Sequence, residues 1–256
     1  MRIVVKVGTS TLTHATGRIN IRRVESLCRV LSDLKNAGHE MILVSSGAIG
    51  MGVGKLMLSE KPADIPTKQA AAATGQCELM YVYDNEFSKY NHNIAQILIT
   101  NADIENEKHH RNFRNTVSKL LEFGVLPIVN ENDTIATDEI SIGDNDTLGA
   151  IVAVSVEADL LILLSDIDGL YDSNPKINPD AKLISKVYEI DDNIRNMGGG
   201  KGSELGTGGM ETKIHAAEIA TGGGIDMVIA NGSNPEILYD IVKGRPSGTR
   251  FFSRGN

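Results

Sequence analysis

Two hydrophobic patterns alternate along this chain: short runs of apolar, often β-branched residues, and longer stretches in which apolar residues recur every three or four positions. The first pattern predicts β-strands and the second predicts amphipathic helices. The predicted strands are residues 2–7, 40–44, 93–99, 125–130, 160–164 and 226–230, and the predicted helices are residues 21–37, 67–89, 109–123, 146–156 and 210–221. Strands that alternate with helices predict an α/β fold, with a parallel sheet covered by helices on both faces.

The predicted strand at 160–164 reads Leu-Leu-Ile-Leu-Leu, without a polar position. A uniformly apolar strand of this kind is buried on both faces of its sheet. In an open parallel sheet, ligands bind outside the carboxyl ends of the strands. The candidate functional residues are therefore those that directly follow the predicted strands.

Lysine, glycine and serine residues follow the first two strands. Lys6 comes directly after Ile-Val-Val, and an ammonium group is costly there unless it opens onto a polar crevice. The alternative is a lysine that extends from an edge strand into solvent. Gly8 allows the backbone to approach a ligand closely. Ser45-Ser46-Gly47 leads into a predicted helix start, which either binds a carboxylate or phosphate through its amides or is an ordinary serine cap.

Two polar clusters follow the fourth strand, NEND at 130–133 and GDND at 143–146. They flank a segment at 139–142 that alternates like a strand of a hairpin. Amide and carboxylate groups together can bind both ends of a zwitterion, and an aspartate opposite Lys6 could hold that ammonium group in an extended rotamer. The alternative is turn formation, which asparagine and aspartate favour in any case.

Three features lie in the C-terminal part of the chain. Ser165 and Asp166 follow the fifth strand, where a nucleotide could dock or a simple turn could form. Seven glycines among the twelve residues 198–209 predict a mobile loop. GTGGMETK at 206–213 then leads into a helix with Lys213 one turn inside, which is typical of a polyphosphate cradle but also of a flexible linker. It matches neither GxxxxGK[ST] nor GxGxxG.

Composition and charge argue against several classes of protein. The net charge of −8 over 256 residues argues against a nucleic-acid-binding protein, which needs a basic face. There is no apolar run of about 18 residues, so no membrane-spanning helix is predicted, and no secretion signal is recognisable at the N-terminus. Cys28 and Cys77 lack metal-ligand spacing, which favours a reduced, cytoplasmic protein without a structural metal site.

The combination of two lysines, a glycine-rich loop and a cluster of amides and carboxylates predicts phosphoryl transfer. Its transition state is stabilised by positioned cations, backbone amides and a metal ion. A carboxylate acceptor is already a nucleophile, so no catalytic base is needed. A non-catalytic nucleotide or amino-acid sensor is the alternative from another class, but a sensor does not need both lysines. A dinucleotide oxidoreductase is disfavoured because GxGxxG is absent.

The motifs KVGTS (6–10), SSGAIG (45–50), NENDTIAT (130–137), GDND (143–146), SDIDGLY (165–171) and GTGGMETK (206–213) resemble those of the bacterial glutamate 5-kinases of the amino acid kinase family. The resemblance implies a three-layer αβα sandwich with a mainly parallel sheet. It implies a single domain, 1–256, with an amino-acid-binding lobe at about 1–159 and a nucleotide-binding lobe at about 160–256. It also implies ATP-dependent phosphorylation of L-glutamate to L-glutamyl 5-phosphate, the first step of proline biosynthesis, with Mg²⁺, a homo-oligomer and inhibition by proline.

Residue roles implied by the resemblance follow from position. Lys6 and Lys213 correspond to lysines on the transferred phosphoryl group, and Asp146 to the aspartate that orients them. The implied glutamate-binding residues are Ser46, Asp133, Asn145 and Asn130. The implied nucleotide-binding residues are Lys6, Gly8, Ser165, Asp166, Thr207, Gly208, Gly209, Met210, Glu211, Thr212 and Lys213. No metal-ligating residue is predicted.

This sequence departs from the family pattern in two respects. Many bacterial relatives carry a C-terminal PUA domain, whereas this sequence stops at Asn256, so a short form without that domain is expected. Ser45 and Ser165 stand where threonine is common. The main rivals within the family are the N-acetylglutamate and aspartate kinases. The former begin with Lys-x-Gly-Gly, whereas Gly8 is followed here by Thr9.

Overall fold

A single β-sheet forms the centre of the protein in a computed structural model that describes residues 1–14, 18–60, 62–135, 144–175, 177–198 and 209–253. Its strands are β1 (Arg2–Val7), β2 (Glu40–Ser45), β3 (Ile94–Ile99), β4 (Leu126–Glu131), β5 (Leu160–Ser165), β6 (Lys186–Val187), β7 (Asp226–Asn231) and β8 (Thr249–Phe251). Their order across the sheet is β3-β4-β2-β1-β5-β7-β8-β6. Only the β7–β8 pair is antiparallel within the described ranges, so the mainly parallel sheet is confirmed.

Helices cover both faces of this sheet. They are α1 (Thr9–Leu12), α2 (Ile21–Asn36), α3 (Ala48–Lys55), α4 (Ile65–Ser88), α5 (Asn101–Glu105), α6 (Glu107–Glu122), α7 (Asn145–Ser155), α8 (Asp192–Met197), α9 (Met210–Gly222) and α10 (Ile237–Val242). The predicted three-layer αβα sandwich is confirmed. None of the helices in the described part of the chain combines the length and apolar composition needed to cross a bilayer.

The strand side chains alternate between two apolar cores, one on each face of the sheet. In β1, Ile3 and Val5 pack in the core formed with α2, α4 and α10. Val4 packs in the opposite core, formed with α6, α7 and α9. Successive side chains of a strand point to opposite faces, so Lys6 lies on the same face as Val4. This alternation directs the lysine towards the layer that contains α7 and α9.

All the predicted strands and helices are present, and each ends within two residues of its predicted limits. The sequence did not predict β6 and β8, or the short helices α1, α5, α8 and α10. Elements of this length contain too few positions to establish a hydrophobic period. The predicted hairpin strand at 139–142 and most of the predicted glycine loop, residues 199–208, lie outside the described residues.

Helices α3 and α4 pack so closely that their backbones touch. A Cβ atom at Gly75 would lie 1.8 Å from the Ala48 carbonyl oxygen, and one at Gly52 would lie 1.8 Å from the Ala71 carbonyl oxygen. Only glycine permits such an approach without displacing a helix. Because α3 begins directly after the polar residues that follow β2, this contact fixes α4 relative to that end of the sheet.

Candidate active site

The carboxyl ends of six strands lie along one edge of the sheet. The consecutive parallel neighbours are β3, β4, β2, β1, β5 and β7. This shared edge brings together Lys6 from β1, Ser46 after β2, Asn130 from β4 and Ser165 from β5. Residues far apart in the sequence therefore meet along one edge of the sheet, the place where ligands bind in open parallel sheets.

An aspartate between two lysines is the central feature of this edge. Lys6 Nζ lies 2.6 Å from Asp146 Oδ1, and Lys213 Nζ lies 2.9 Å from Asp146 Oδ2. All three residues are buried. Burying a charge is costly unless it is paired, and here one carboxylate serves two ammonium groups. The group therefore holds one excess positive charge, which an anion such as a phosphate can neutralise.

The charge state of Asp146 follows from these contacts. Burial alone would raise the pKa of the Asp146 carboxyl, but the charges and hydrogen bonds of Lys6 and Lys213 outweigh burial, and the pKa lies below its ordinary value. Asp146 is thus ionised at neutral pH and holds both lysines in place.

Helix α7 positions Asp146 through its cap. Asp144 precedes the helix and its Oδ1 accepts hydrogen bonds from the amides of Asp146, at 2.6 Å, and Thr147, at 2.9 Å. Aspartate is a favoured residue at this position. Gly149 lets the helix approach β1, since a Cβ atom there would lie 3.3 Å from Lys6 Cβ. Asp144 belongs to the GDND motif, but its capping role was not predicted from the sequence.

Ser46, Asn130 and Asn145 form a hydrogen-bonded array beside the lysines. Asn145 Nδ2 donates to Ser46 Oγ at 2.7 Å and to Asn130 Oδ1 at 3.0 Å. Asn130 Nδ2 in turn donates to Gln76 Oε1 on α4 at 3.0 Å. The structure thus brings together three of the four residues predicted to bind the amino acid, and links them to a glutamine that the sequence analysis missed.

Helix α4 makes a second contact next to this array, where Tyr83 meets Ser45. The Ser45 hydroxyl donates to the Ser46 carbonyl oxygen at 3.0 Å, and its Oγ lies 2.7 Å from the Tyr83 hydroxyl. Burial raises the pKa of the Tyr83 hydroxyl, which keeps its proton. The spacing of the two missed residues is a sequence signal for their burial. Gln76 and Tyr83 are seven positions apart, about two helical turns, and so lie on the same buried face of α4.

Asp133, the fourth predicted amino-acid-binding residue, is partly buried just beyond β4. Burial raises the pKa of its carboxyl, and no described cation offsets that effect. A desolvated carboxylate of this kind gains most from a ligand that brings its own positive charge.

The described residues predicted to bind nucleotide, other than Lys6, Gly8 and Lys213, lie at the end of β5 or at the start of α9. Ser165 is buried at the end of β5 and its hydroxyl donates to Asp166 Oδ1 at 3.2 Å. Gly209 caps α9, and its carbonyl oxygen lies 2.9 Å from Thr212 Oγ1, which is also 3.2 Å from Asp146 Oδ2. Of the remaining candidates, Met210 is partly buried and Glu211 is exposed, whereas Thr207 and Gly208 lie outside the described residues.

Gly8 and Gly47 stand where α1 and α3 begin. A Cβ atom at Gly8 would lie 3.5 Å from Lys6 Nζ, and Gly47 has a φ of +109°, which L-residues rarely adopt. Both positions leave the backbone at this edge of the sheet free of side chains.

Possible metal ligands are few among the described residues of this edge. Within the described residues there is no group of three or more His, Cys, Asp or Glu side chains placed to hold a metal ion. Asp146 is engaged by two lysines and Asp144 by the helix cap. The arrangement is suited to binding an anion through lysines and backbone amides, with the hydrogen-bonded array of Ser46, Asn130 and Asn145 next to it.

Known proteins that are similar to this chain are kinases, in agreement with the anion-binding arrangement of the site. The amino acid kinase family matches residues 1–231. The glutamate 5-kinase of Clostridium perfringens is 56% identical, over 99% of this chain and 96% of that protein. The glutamate 5-kinase of Clostridium acetobutylicum is 54% identical, over 99% of this chain and 95% of that protein.

Among solved structures, the isopentenyl phosphate kinase of T. acidophilum superposes with a TM-score of 0.67 over 98% of this chain and 100% of that chain. At 18% identity this likeness concerns the fold alone. The two glutamate 5-kinases, in contrast, are more than 50% identical in sequence to this chain over nearly its whole length. The chain therefore belongs to the amino acid kinase family, in the group of the glutamate 5-kinases.

Proposed function

We propose that the crevice at the carboxyl edge of the sheet transfers the terminal phosphoryl group of ATP to the side-chain carboxylate of L-glutamate. The products are ADP and L-glutamyl 5-phosphate, and the reaction is the first step of proline biosynthesis. The glutamate 5-kinase relatives support this reaction. The observation that carries the proposal is Asp146 buried between Lys6 and Lys213, with one excess positive charge.

Lys6 and Lys213 stabilise the transferred group in this proposal. In phosphoryl transfer, negative charge spreads over the equatorial oxygens while the attacking and leaving oxygens stand in line. A side-chain oxygen of glutamate forms the new bond to phosphorus, and the bond from the terminal phosphorus to its bridging oxygen breaks. The two ammonium groups meet the oxygens of the moving group, and Asp146 keeps them the right distance apart. Because the acceptor is an ionised carboxylate, no residue has to remove a proton.

The amino acid binds in this proposal between Ser46, Asn130, Asn145 and Asp133. The amide and hydroxyl groups of the array bind the substrate's carboxylates by hydrogen bonds, and the Asp133 carboxylate pairs with the ammonium group. The partial burial of Asp133 supports this assignment, since the carboxylate has lost part of its hydration.

The nucleotide binds in this proposal across Gly8, Ser165, Asp166 and residues 207–213. The N-terminus of α9 supports this placement, because amides at the start of a helix favour negative charge. When bound, Mg²⁺ neutralises phosphate charge. Phosphate oxygens and water would supply most of its ligands, since the described residues include no carboxylate cluster. The approximate lobes 1–159 and 160–256 remain part of this proposal.

An acyl-phosphate trap tests the proposed function. The purified protein is incubated with ATP, Mg²⁺ and hydroxylamine, and with L-glutamate, L-aspartate or N-acetyl-L-glutamate in separate reactions. Hydroxamate is expected with L-glutamate. A preference for either of the other two acceptors would identify a different amino acid kinase, and nucleotide binding without turnover would identify a sensor.

Replacement of Asp133 by alanine is expected to raise the glutamate KM about thirtyfold or more, because losing one partner of a desolvated charge pair costs at least about 2 kcal/mol. The ATP KM should stay within about twofold of the wild-type value. Steady-state kinetics with each substrate varied in turn measures both constants, and Asp84→Ala on the exposed side of α4 is the matched control.

The pH dependence adds a second readout for Asp133. Its pKa in the free protein is raised, and an ammonium group beside it would lower that pKa. Glutamate binding should therefore weaken as the pH falls through the raised Asp133 pKa, and Asp133→Ala should lose this dependence. Equal changes in the KM values for glutamate and ATP would assign Asp133 to another role.

Proline is expected to compete with glutamate for the same pocket. It shares the α-carboxylate and α-nitrogen of glutamate but lacks the side-chain carboxylate, so it can occupy the end near Asp133 and Asn145. Proline should raise the apparent glutamate KM with little effect on kcat at saturating glutamate, and glutamate must weaken proline binding by the same factor. Isothermal titration of proline with and without saturating glutamate measures this. An affinity that does not change would contradict a shared pocket.

The cytoplasmic location of the protein and its assembly into a homo-oligomer stay predictions. Cys28 is buried and Cys77 exposed, and both are free, which agrees with a reducing compartment. Cell fractionation would test the expected cytoplasmic location, and sedimentation equilibrium would test the expected homo-oligomer.

A further inference from the structure

Gln76 is a polar residue in the buried face of α4. Leu79, Tyr83 and Phe87 of the same face are also buried and pack in the core beneath the sheet. Gln76 is 6% exposed, and its Oε1 accepts the hydrogen bond from Asn130 Nδ2. Its Nε2 is buried, and among the described residues it has no hydrogen-bond partner.

The direction of the Gln76–Asn130 hydrogen bond is fixed by the backbone. The Glu131 amide donates to an Asn130 side-chain atom at 2.9 Å. An amide N–H can only donate, so that atom is Oδ1, and the other Asn130 atom, Nδ2, must be a donor. The Gln76 atom that Nδ2 meets is therefore the acceptor Oε1. It follows that the unpaired Gln76 atom is a true donor, and not an oxygen placed in the wrong orientation.

The same reasoning fixes the orientation of the whole array. Asn145 also donates to Asn130 Oδ1, and with the same nitrogen it donates to Ser46 Oγ. Within the described part of the chain, neither the Ser46 hydroxyl proton nor the Asn145 Oδ1 oxygen takes part in a further hydrogen bond, so both can meet a ligand. A proton donor suits a substrate carboxylate, and an acceptor suits an ammonium group. If the Asn130 amide turned over, two NH₂ groups would face each other at Asn145, and the array would lose this polarity.

Packing does not explain a glutamine at position 76. A leucine or methionine would fill the same space beneath the sheet and remove the unpaired Gln76 donor, but it would leave Asn130 Nδ2 without its acceptor. The feature that glutamine adds is the acceptor Oε1, and its partner is Asn130. Close contact between α3 and α4 at Gly52 and Gly75 holds this part of α4 against the array.

We propose that Gln76 is a positioning residue for the amino-acid substrate. By accepting from Asn130 Nδ2, Gln76 acts together with the Glu131 amide to hold the Asn130 side chain in one orientation and position, and Asn130 in turn orients Asn145 and the Ser46 hydroxyl. The proposal rests on the proposed function, because it assumes that this array binds glutamate. Gln76 acts through Asn130 and need not touch the substrate.

The test compares two substitutions at position 76. Gln76→Met removes the acceptor, and we expect the glutamate KM to rise at least about tenfold while the ATP KM and kcat stay within about threefold. Gln76→Glu keeps a carbonyl oxygen at the same place, and burial favours its neutral form. At pH 6 it should restore the glutamate KM to within about threefold of wild type. Gln96→Met, at an exposed position of β3, is the control.

A double-mutant cycle shows whether Gln76 acts through Asn130. In an Asn130→Leu background, Gln76→Met should add no further rise in the glutamate KM, because the residue it orients is gone. Thermal melting and the ATP KM report whether each variant is folded. Gln76→Met exchanges one unpaired amide for another, so its melting temperature should stay close to that of the wild type. Should Gln76→Met not fold, Gln76→Leu replaces it in the cycle.

Several outcomes would overturn the proposal: an unchanged glutamate KM in Gln76→Met, an equal rise in both KM values, no rescue by Gln76→Glu, or fully additive effects in the cycle. Failure of the proposed function looks different. In that case the wild-type protein forms no hydroxamate with glutamate, whereas failure of the Gln76 proposal leaves an active wild-type enzyme.

Discussion

A Lys6→Met variant is expected to fold and to lose about a hundredfold or more in kcat. The loss of a cation that meets charge in the transition state costs about 3 kcal/mol or more. The fold should persist because methionine occupies a similar volume and Asp146 keeps its contact with Lys213 at 2.9 Å. Circular dichroism checks the fold, and a coupled assay of ADP release at saturating ATP and glutamate measures kcat.

The matched control for this variant is Lys108→Met, which removes an exposed lysine from the first turn of α6. It should have wild-type kcat and stability. A Lys6→Met enzyme that keeps more than half of the wild-type kcat would show that Lys6 has no part in the transition state, whatever its contact with Asp146.

An Asp146→Asn variant is expected to lose about 3–5 kcal/mol of unfolding free energy at pH 7, because it leaves the buried Lys6 and Lys213 charges without a carboxylate. Turnover should fall with it, since nothing then holds the two lysines together. Urea unfolding followed by circular dichroism measures the stability. Asp84→Asn on the exposed side of α4 is the control.

The pH dependence of this difference has a definite sign. The pKa of Asp146 is lower in the folded protein than its ordinary value of 3.8. Its contribution to stability is therefore complete above that value and is lost as the pH falls through it towards the folded pKa. The stability gap between the wild type and Asp146→Asn should be constant from pH 7 to about pH 5 and shrink on further acidification. Equal stability of the two proteins at pH 7 would contradict the ion-pair argument.

The sequence predicts the layers of the fold well because buried strands and amphipathic helices have distinct periods. Lys6 shows which features of the site the sequence pattern can predict and which it cannot. A lysine after an apolar strand predicts a polar crevice at that strand end, but the partners of Lys6 cannot be read from the pattern. Asp146 is 140 residues away, and the pairing depends on how α7 lies against β1, which Gly149 permits.

The residues of α4 show where pattern reading fails. Gln76 and Tyr83 occupy buried positions of an amphipathic pattern, and their role depends on the strand ends that α4 passes. Gln76 reaches Asn130 and Tyr83 reaches Ser45, and neither partner is close in sequence. A helix pattern specifies which face is buried but not which part of the sheet that face covers. Only the tertiary packing supplies that information.

The backbone contact between α3 and α4 has a consequence for how this enzyme tolerates mutation. A side chain at Gly52 or Gly75 cannot be accommodated by a rotamer change, because the atoms it would meet belong to the neighbouring backbone. The helices would have to separate, and α4 would take Gln76 and Tyr83 with it. In a library selected for growth without added proline, these two glycines should therefore tolerate substitution as poorly as substrate-contacting positions, and supplying extra glutamate should rescue the milder replacements.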